Sequence, residues 1–219
     1  MTRIGIIGGH GTVALELSRI LAADRQEVKS FIRNPDHGKD VTATGATPVV
    51  LDVEHSTAAE LAEALRGLDA IVWSAGAGGG APERTYAVDR DAAIRSMDAA
   101  AEAGVNRYIM VSYLGAGPDH GVPKENGFFA YAEAKAAADD YLRGTDLDWT
   151  ILGPGALVDG PGKGMIDVKA DAPWTGTDTS RANVALVAAA VLGLPSTVRR
   201  TIEFRDGSQP IAAALEARD

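Results

Sequence analysis

The 219-residue chain contains no cysteine. That excludes disulfides, a thiolate metal site and a cysteine nucleophile, and it suits a reducing compartment. Long hydrophobic runs are missing as well. A bilayer span needs roughly 20 consecutive apolar residues, whereas the apolar run near the N-terminus extends only from Ile4 to Ile7. That run is also too short for the centre of a signal peptide, so a cytoplasmic protein with no membrane partner is expected. Blocks of basic residues are absent, and the formal net charge is −9. Nucleic-acid surfaces need clustered Lys and Arg, so no nucleic-acid partner is expected, although a local basic pocket for one phosphate remains compatible. His37, His55 and His120 are scattered without metal-ligand spacing, and no Ser-His-Asp arrangement can be read, so no metal site is expected.

Strand-like and helix-like segments alternate along the chain. Arg3–Ile7 reads as a buried strand and Thr12–Ala23 as a helix; Glu27–Arg33 and Thr47–Leu51 are the next strands. Thr57–Leu65 is an amphipathic helix, Asp69–Trp73 a strand, and Val88–Ala103 a long helix closed by Gly104. Arg107–Ser112, Ala130–Leu142 and Trp149–Leu152 continue the alternation. Residues 153–176 are rich in Gly, Pro and Asp and read as loops around a short strand at Met165–Val168. Thr179–Leu192, Thr201–Arg205 and Ile211–Ala217 return to helix, strand and helix. Strands alternating with helices of about ten or more residues imply βαβ units. Right-handed crossovers then give a doubly wound parallel sheet with helices on both faces, an α/β Rossmann-type fold. One domain over residues 1–219 is expected, with a small substrate-side region around 153–178.

The strongest motif opens the chain: Ile4-Gly5-Ile6-Ile7-Gly8-Gly9-His10-Gly11-Thr12-Val13-Ala14. An apolar strand runs into a Gly-rich turn, and the turn runs directly into a helix. Gly8 permits the turn, Gly11 lets the backbone approach a pyrophosphate, and the helix start at Thr12 and Val13 stabilises its charge. Ala14 is small enough for close helix–strand packing. Gly9 lies within the same cradle, and His10 either touches the phosphates or faces solvent.

The second strand delivers the residue that meets the adenosine ribose, acidic for NAD and basic for NADP. Here it ends in Arg33-Asn34, with no carboxylate at its tip. A guanidinium binds a 2′-phosphate bidentately, so NADP(H) is expected over NAD(H). Asp52, with Val53 beside it, either bonds the adenine amino group or is a capping or surface acid. Ser74, Ala75 and Gly76 are small enough for the cofactor backbone to approach.

Tyr131 and Lys135 stand four apart on a helix and so share one face. A free tyrosine titrates near about 10, and a neighbouring ammonium favours the phenolate, moving that value toward neutral pH. The same lysine can reach the nicotinamide ribose.

Together, the turn at Gly8, Gly11 and Ala14, the small-residue stretch 74–76, the Tyr131/Lys135 pair, the strand end Thr150–Gly155 with Pro154, and the helix start Ser180–Ala185 carry a resemblance. The chain resembles, over nearly its whole length, an atypical short-chain dehydrogenase/reductase of the NAD(P)-binding, NmrA-like group. Ala14 stands where the family has its last Gly, and Gly153 where relatives commonly carry Arg. The resemblance implies a cofactor contact at Pro154, Tyr131 as proton donor to a carbonyl, and Lys135 as its activator and ribose clamp. It also implies a Ser or Thr just after the fifth strand. Ser112 is the serine there, followed by Tyr113 and Leu114. Ser112 either holds the substrate carbonyl or contacts the cofactor, and Tyr113 is an alternative donor.

The stretch Gly160–Gly164 reads either as a lid or as a connecting loop. The expected activity is an NADP-dependent reduction of a small carbonyl or quinone-like acceptor. The rival is a non-catalytic NADP(H)-binding redox sensor. Helices after the fourth and fifth strands offer a surface for a homodimer.

Overall fold

A computed structural model describes residues 1–79, 81–169, 174 and 176–216. Its first half lays down β1 (Arg3–Ile7), α1 (Thr12–Ala23), β2 (Glu27–Ile32), α2 (Gly38–Thr42), β3 (Thr47–Val50), α3 (Ala58–Leu65) and β4 (Ala70–Trp73). Next, α4 (Pro82–Thr85) runs through a π-helical stretch, Tyr86–Ala92, into α5 (Ala93–Glu102). The chain continues as β5 (Arg107–Val111), α6 (Phe129–Arg143), β6 (Asp148–Pro154), β7 (Leu157–Val158), β8 (Met165–Val168) and β9 (Thr179–Ser180). It closes with α7 (Arg181–Leu192), β10 (Arg200–Asp206), β11 (Gln209–Pro210) and α8 (Ile211–Glu216).

Among the described residues, nine strands form one sheet in the order β11-β8-β10-β6-β5-β4-β1-β2-β3. From β3 to β10 every pairing is parallel. Strand β1 is apolar and buried from Ile4 to Ile7, as a central parallel strand covered on both faces must be. Alternation splits its side chains between two cores. Ile4 and Ile6 pack with Val13 and Leu17 of α1 and with Val184 and Val187 of α7. Ile7 packs with Trp73, Tyr108 and Met110 against Leu61 of α3, Met97 of α5 and Leu142 of α6. Helices therefore cover both faces, as the alternation predicts.

The far edge differs from expectation. Strands β8 and β11 pair antiparallel, extending the sheet beyond β10. Asp167 of β8 holds the β10–β11 turn by accepting from the Ser208 backbone N–H at 2.9 Å. The helix expected at Thr179 begins at Arg181, because Ser180 caps it by accepting from the Asn183 N–H. The helix expected at Val88 begins earlier, at Pro82, and carries the π-helical stretch. Ala217, expected in the last helix, lies outside the described residues, as do 170–173 and 175 of the expected loop region. Among the described residues, no helix is long and apolar enough to cross a membrane.

Candidate functional site

The strand order reverses between β1 and β4, and their C-terminal ends open a crevice there, where doubly wound sheets hold ligands. Gly8 has φ +84°, and a Cβ added to it would lie 2.5 Å from Ala75 Cα. Only glycine therefore lets the first turn pass under the β4 turn. Gly9 donates to Phe31 O at 2.9 Å, and Gly11 donates to Gly8 O at 3.0 Å. Helix α1 starts at Thr12 with no side-chain cap and no acid in its first turn. Its first N–H groups are thus left for an external anion. That cradle fits a dinucleotide pyrophosphate.

Two cavities meet at this point, sharing Gly11 and the wall formed by Ser74, Ala75, Gly76, Ala77 and Gly78. The first, about 530 Å³, lies at the ends of β2 and β3 and is bordered by Arg33, Asn34, Asp52 and Val53. Several of its polar side chains are already engaged. Asn34 accepts from Asp36 N, and Asp52 accepts from Glu54 N at 3.1 Å and meets His55 Nδ1 at 3.0 Å. His10 meets Asp40 at 2.8 Å and stacks on His37 at 3.6 Å between ring centroids, so it is pinned at the cavity wall. Arg33 does have a carboxylate nearby, contrary to the reading of the second strand alone. Glu54, from the loop after β3, lies 3.5 Å from it. Asp52, Glu54 and His55 each place one potential metal-ligand atom within 4.8 Å of the others. Their charges are already met by one another and by arginines.

The second cavity, about 540 Å³, is bordered by Thr12, Val13, Asp89, Ser112, Phe128 and Tyr131. Tyr131, Lys135 and Asp139 form a stripe along α6, spaced four apart. Lys135 is only 1% exposed and donates to Val111 O at 2.8 Å and to Met110 Sδ at 3.2 Å. Ser112, also buried, donates to Asp139 Oδ2 at 2.5 Å. Asp89 arrives from the π-helical stretch, 1% exposed, and accepts from Ala77 N at 2.9 Å. Burial lowers the pKa of Lys135 against the opposing pull of Asp139 and Asp89. Burial raises Asp139 against the pull of Lys135, and it raises Asp89 against its backbone hydrogen bond and the same lysine.

Tyr131 corrects the simple lysine argument. Its pKa is raised, first by burial and then by the carboxylates Asp89 and Asp139, so the phenol holds its proton. Lys135 donates to Val111 O and Met110 Sδ, under the pull of the two acids. Tyr113 packs 5.6 Å from Tyr131 and 5.2 Å from Phe128, between ring centroids, and its buried hydroxyl has no partner among the described residues.

A third cavity, also about 540 Å³, opens on the other side of Tyr131 and Phe128. Leu114, Pro154, Ala156 and Leu157 border it, and no charged side chain does so among the described residues. Pro154, expected beside the cofactor, stands at the end of β6 and borders this outer cavity. The stretch Gly160–Gly164 borders none of the three cavities. A Cβ at Gly162 would lie 2.9 Å from Ala182 Cβ, and Gly164 N donates to Asn183 Oδ1, so the stretch docks on the start of α7. Sequence reasoning missed Glu54, Asp89 and Asp139. Asp139 carried a signal, its spacing from Tyr131 and Lys135. Asp89 carried none, because a π-helical stretch turns it inward.

Fold and crevice together define a dinucleotide-binding Rossmann protein. The chain belongs to the NAD(P)H-binding family, whose sequence profile matches residues 8–195. It is 33% identical over 217 residues to the uncharacterized sugar epimerase YhfK of Bacillus subtilis strain 168, covering 98% of this chain and 99% of that one. A Bacillus halodurans structure, assigned provisionally as an NAD-dependent epimerase/dehydratase, superposes with a TM-score of 0.90 at 30% identity over 99% of both chains. The oxidoreductase ylbE of Lactococcus lactis superposes with a TM-score of 0.86 at 28% identity, over 98% of this chain and 95% of that one.

Proposed function

We propose that this protein is an NADP(H)-dependent oxidoreductase that reduces a small carbonyl or quinone-like acceptor, with Tyr131 as the proton donor. The observation that carries this reading is the position of Tyr131. Its ring borders both the inner cavity and the outer, uncharged one, and Lys135, one turn along α6, donates to Val111 O rather than to its hydroxyl. A nicotinamide bound in the crevice would supply the hydride. Tyr131, kept protonated by burial, donates its proton to the acceptor oxygen as that oxygen gains electron density. Lys135 donates to Val111 O and Asp139 accepts from Ser112, which ties the α6 stripe to β5 and its end. The uncharged outer lining favours an apolar acceptor over the phosphates of a sugar nucleotide, despite the epimerase names of two relatives. The name of the ylbE structure is consistent with an oxidoreductase.

The test is NADPH consumption with a panel of quinones, aldehydes and ketones, alongside fluorescence titration of NADPH. Tyr131→Phe is expected to reduce turnover by about a hundredfold or more while binding persists. Unchanged turnover in that variant would remove the assignment. One observation favours a second reading, a non-catalytic NADP(H)-binding redox sensor: Ser112 and Lys135 both face inward, committed to Asp139 and to the β5 backbone. Tight binding with no turnover across the panel supports that reading.

A further inference from the structure

The adenosine end of the crevice holds a charge arrangement that the strand-tip rule does not describe. Glu54 Oε2 faces two guanidinium groups, Arg33 Nη1 at 3.5 Å and Arg84 Nε at 3.3 Å. All three residues border the adenosine-end cavity. The Glu54 side chain is 16% exposed, against 56% for Arg33 and 35% for Arg84, so the anion lies deeper than either cation. Its position is fixed from both directions. Arg95 Nη2 donates to the carbonyls of Val53 and Glu54, at 3.0 and 2.9 Å, and clamps the backbone. Arg84 is itself anchored by donating to Ala77 O.

We infer that Glu54 sets the ratio of NADPH to NADH binding, by occupying the two arginines that would otherwise receive the 2′-phosphate. The inference rests on the cofactor reading above and adds its selectivity residue. A 2′-phosphate entering this cavity meets Arg33 at the rim and a carboxylate behind it. The attraction from one is offset by repulsion from the other, and both act at short range in a partly desolvated site. A ribose 2′-hydroxyl carries no charge, feels neither effect strongly and can donate to the same carboxylate. Glu54 thus weakens NADPH without weakening NADH, which is selectivity through an opposing element rather than an added attraction. The protein then binds both nucleotides, with a smaller preference for NADPH than its arginines alone would give.

Fluorescence titration of NADPH and NADH against wild type and Glu54→Gln tests this without any acceptor. The variant keeps the side chain's size and the Arg95 clamp on the backbone carbonyl. NADPH affinity is expected to rise about tenfold, with NADH unchanged or slightly weaker. In an Arg33→Ala background most of that gain should disappear. The NADPH advantage should also fall more steeply with added salt in Glu54→Gln than in wild type, because two uncompensated cations face the phosphate instead of a partly neutralised pair. Should the Gln variant fold poorly, Glu54→Asp, which draws the carboxylate back from Arg33, is expected to move the ratio the same way by less. An unchanged ratio overturns the inference, as does an equal shift for both nucleotides, which would mark Glu54 as a purely structural loop residue. If neither nucleotide binds folded wild type, the cofactor reading fails and the inference fails with it.

Discussion

Gly8 and Gly11 stand three residues apart in one turn, yet the structure asks different things of them. A Cβ at Gly8 would meet Ala75 backbone atoms at 2.5 and 2.6 Å, in a backbone conformation with positive φ. At Gly11 the nearest atom to an added Cβ is Gly8 O at 3.4 Å, and φ is −61°. Gly8→Ala should therefore cost about 2 kcal/mol or more of stability, and it should force the β1 and β4 turns apart, so nucleotide binding falls too. Gly11→Ala should melt within a degree or two of wild type, because nothing in the fold opposes the methyl group. Its affinity for NADPH should still fall about tenfold or more, because that methyl stands where the pyrophosphate approaches the backbone. Thermal melts and titrations on the two variants separate these effects. Equal loss of stability in both would show that the turn serves packing alone. The turn was legible because strand, turn and helix are consecutive in the chain. Glu54 was not, since its partner Arg33 is 21 positions away and is reached only when β2 and β3 pair.

At the level of elements, α6 ties the site to the sheet. Its Tyr131/Lys135 pair was read from spacing, but Asp139 one turn further on was missed, and with it the direction of the resulting pKa shifts. Burial beneath β5, and a second carboxylate brought in by the π-helical stretch, reversed the effect expected of a lysine alone. Periodicity along one helix cannot reveal which charges a neighbouring helix contributes. The buried acid predicts a pH dependence of stability. The pKa of Asp139 is raised in the folded protein, so as pH climbs above the ordinary aspartate value of about 3.8 the unfolded chain releases this proton first. Between the unfolded and folded values the folded state binds more protons, and raising the pH favours unfolding. Asp139→Asn removes that contribution while keeping an acceptor for Ser112. Wild type should therefore lose melting temperature relative to the variant as pH rises from about 4 toward 7. A difference that stays constant across the series would mean that Asp139 titrates as an ordinary carboxyl group.

Across the whole molecule, alternation of strands and helices was enough to foresee the parallel part of the sheet and where its crevice opens. The strand at Met165–Val168 was foreseen but its antiparallel pairing was not, because β11 spans only two residues and the edge is fixed by tertiary contacts such as Asp167 with Ser208. The crevice joins cavities of about 530 and 540 Å³ through one shared wall, so a dinucleotide lying along it touches α1, the β2 and β3 ends and α6 together. A ligand that binds only the folded state stabilises it by mass action, by about 2.7 kcal/mol at roughly a hundred times its dissociation constant. For a chain of this size that is roughly 5–10 °C in melting temperature. NADPH should produce such a shift. The fragment 2′,5′-ADP fills only the adenosine cavity, so at equal concentration it should produce a clearly smaller one, because the contacts with α6 are missing. Equal shifts from the fragment and the whole nucleotide would mean that the nicotinamide half gains nothing from the second cavity, and Tyr131 would then have no reactive ring to serve.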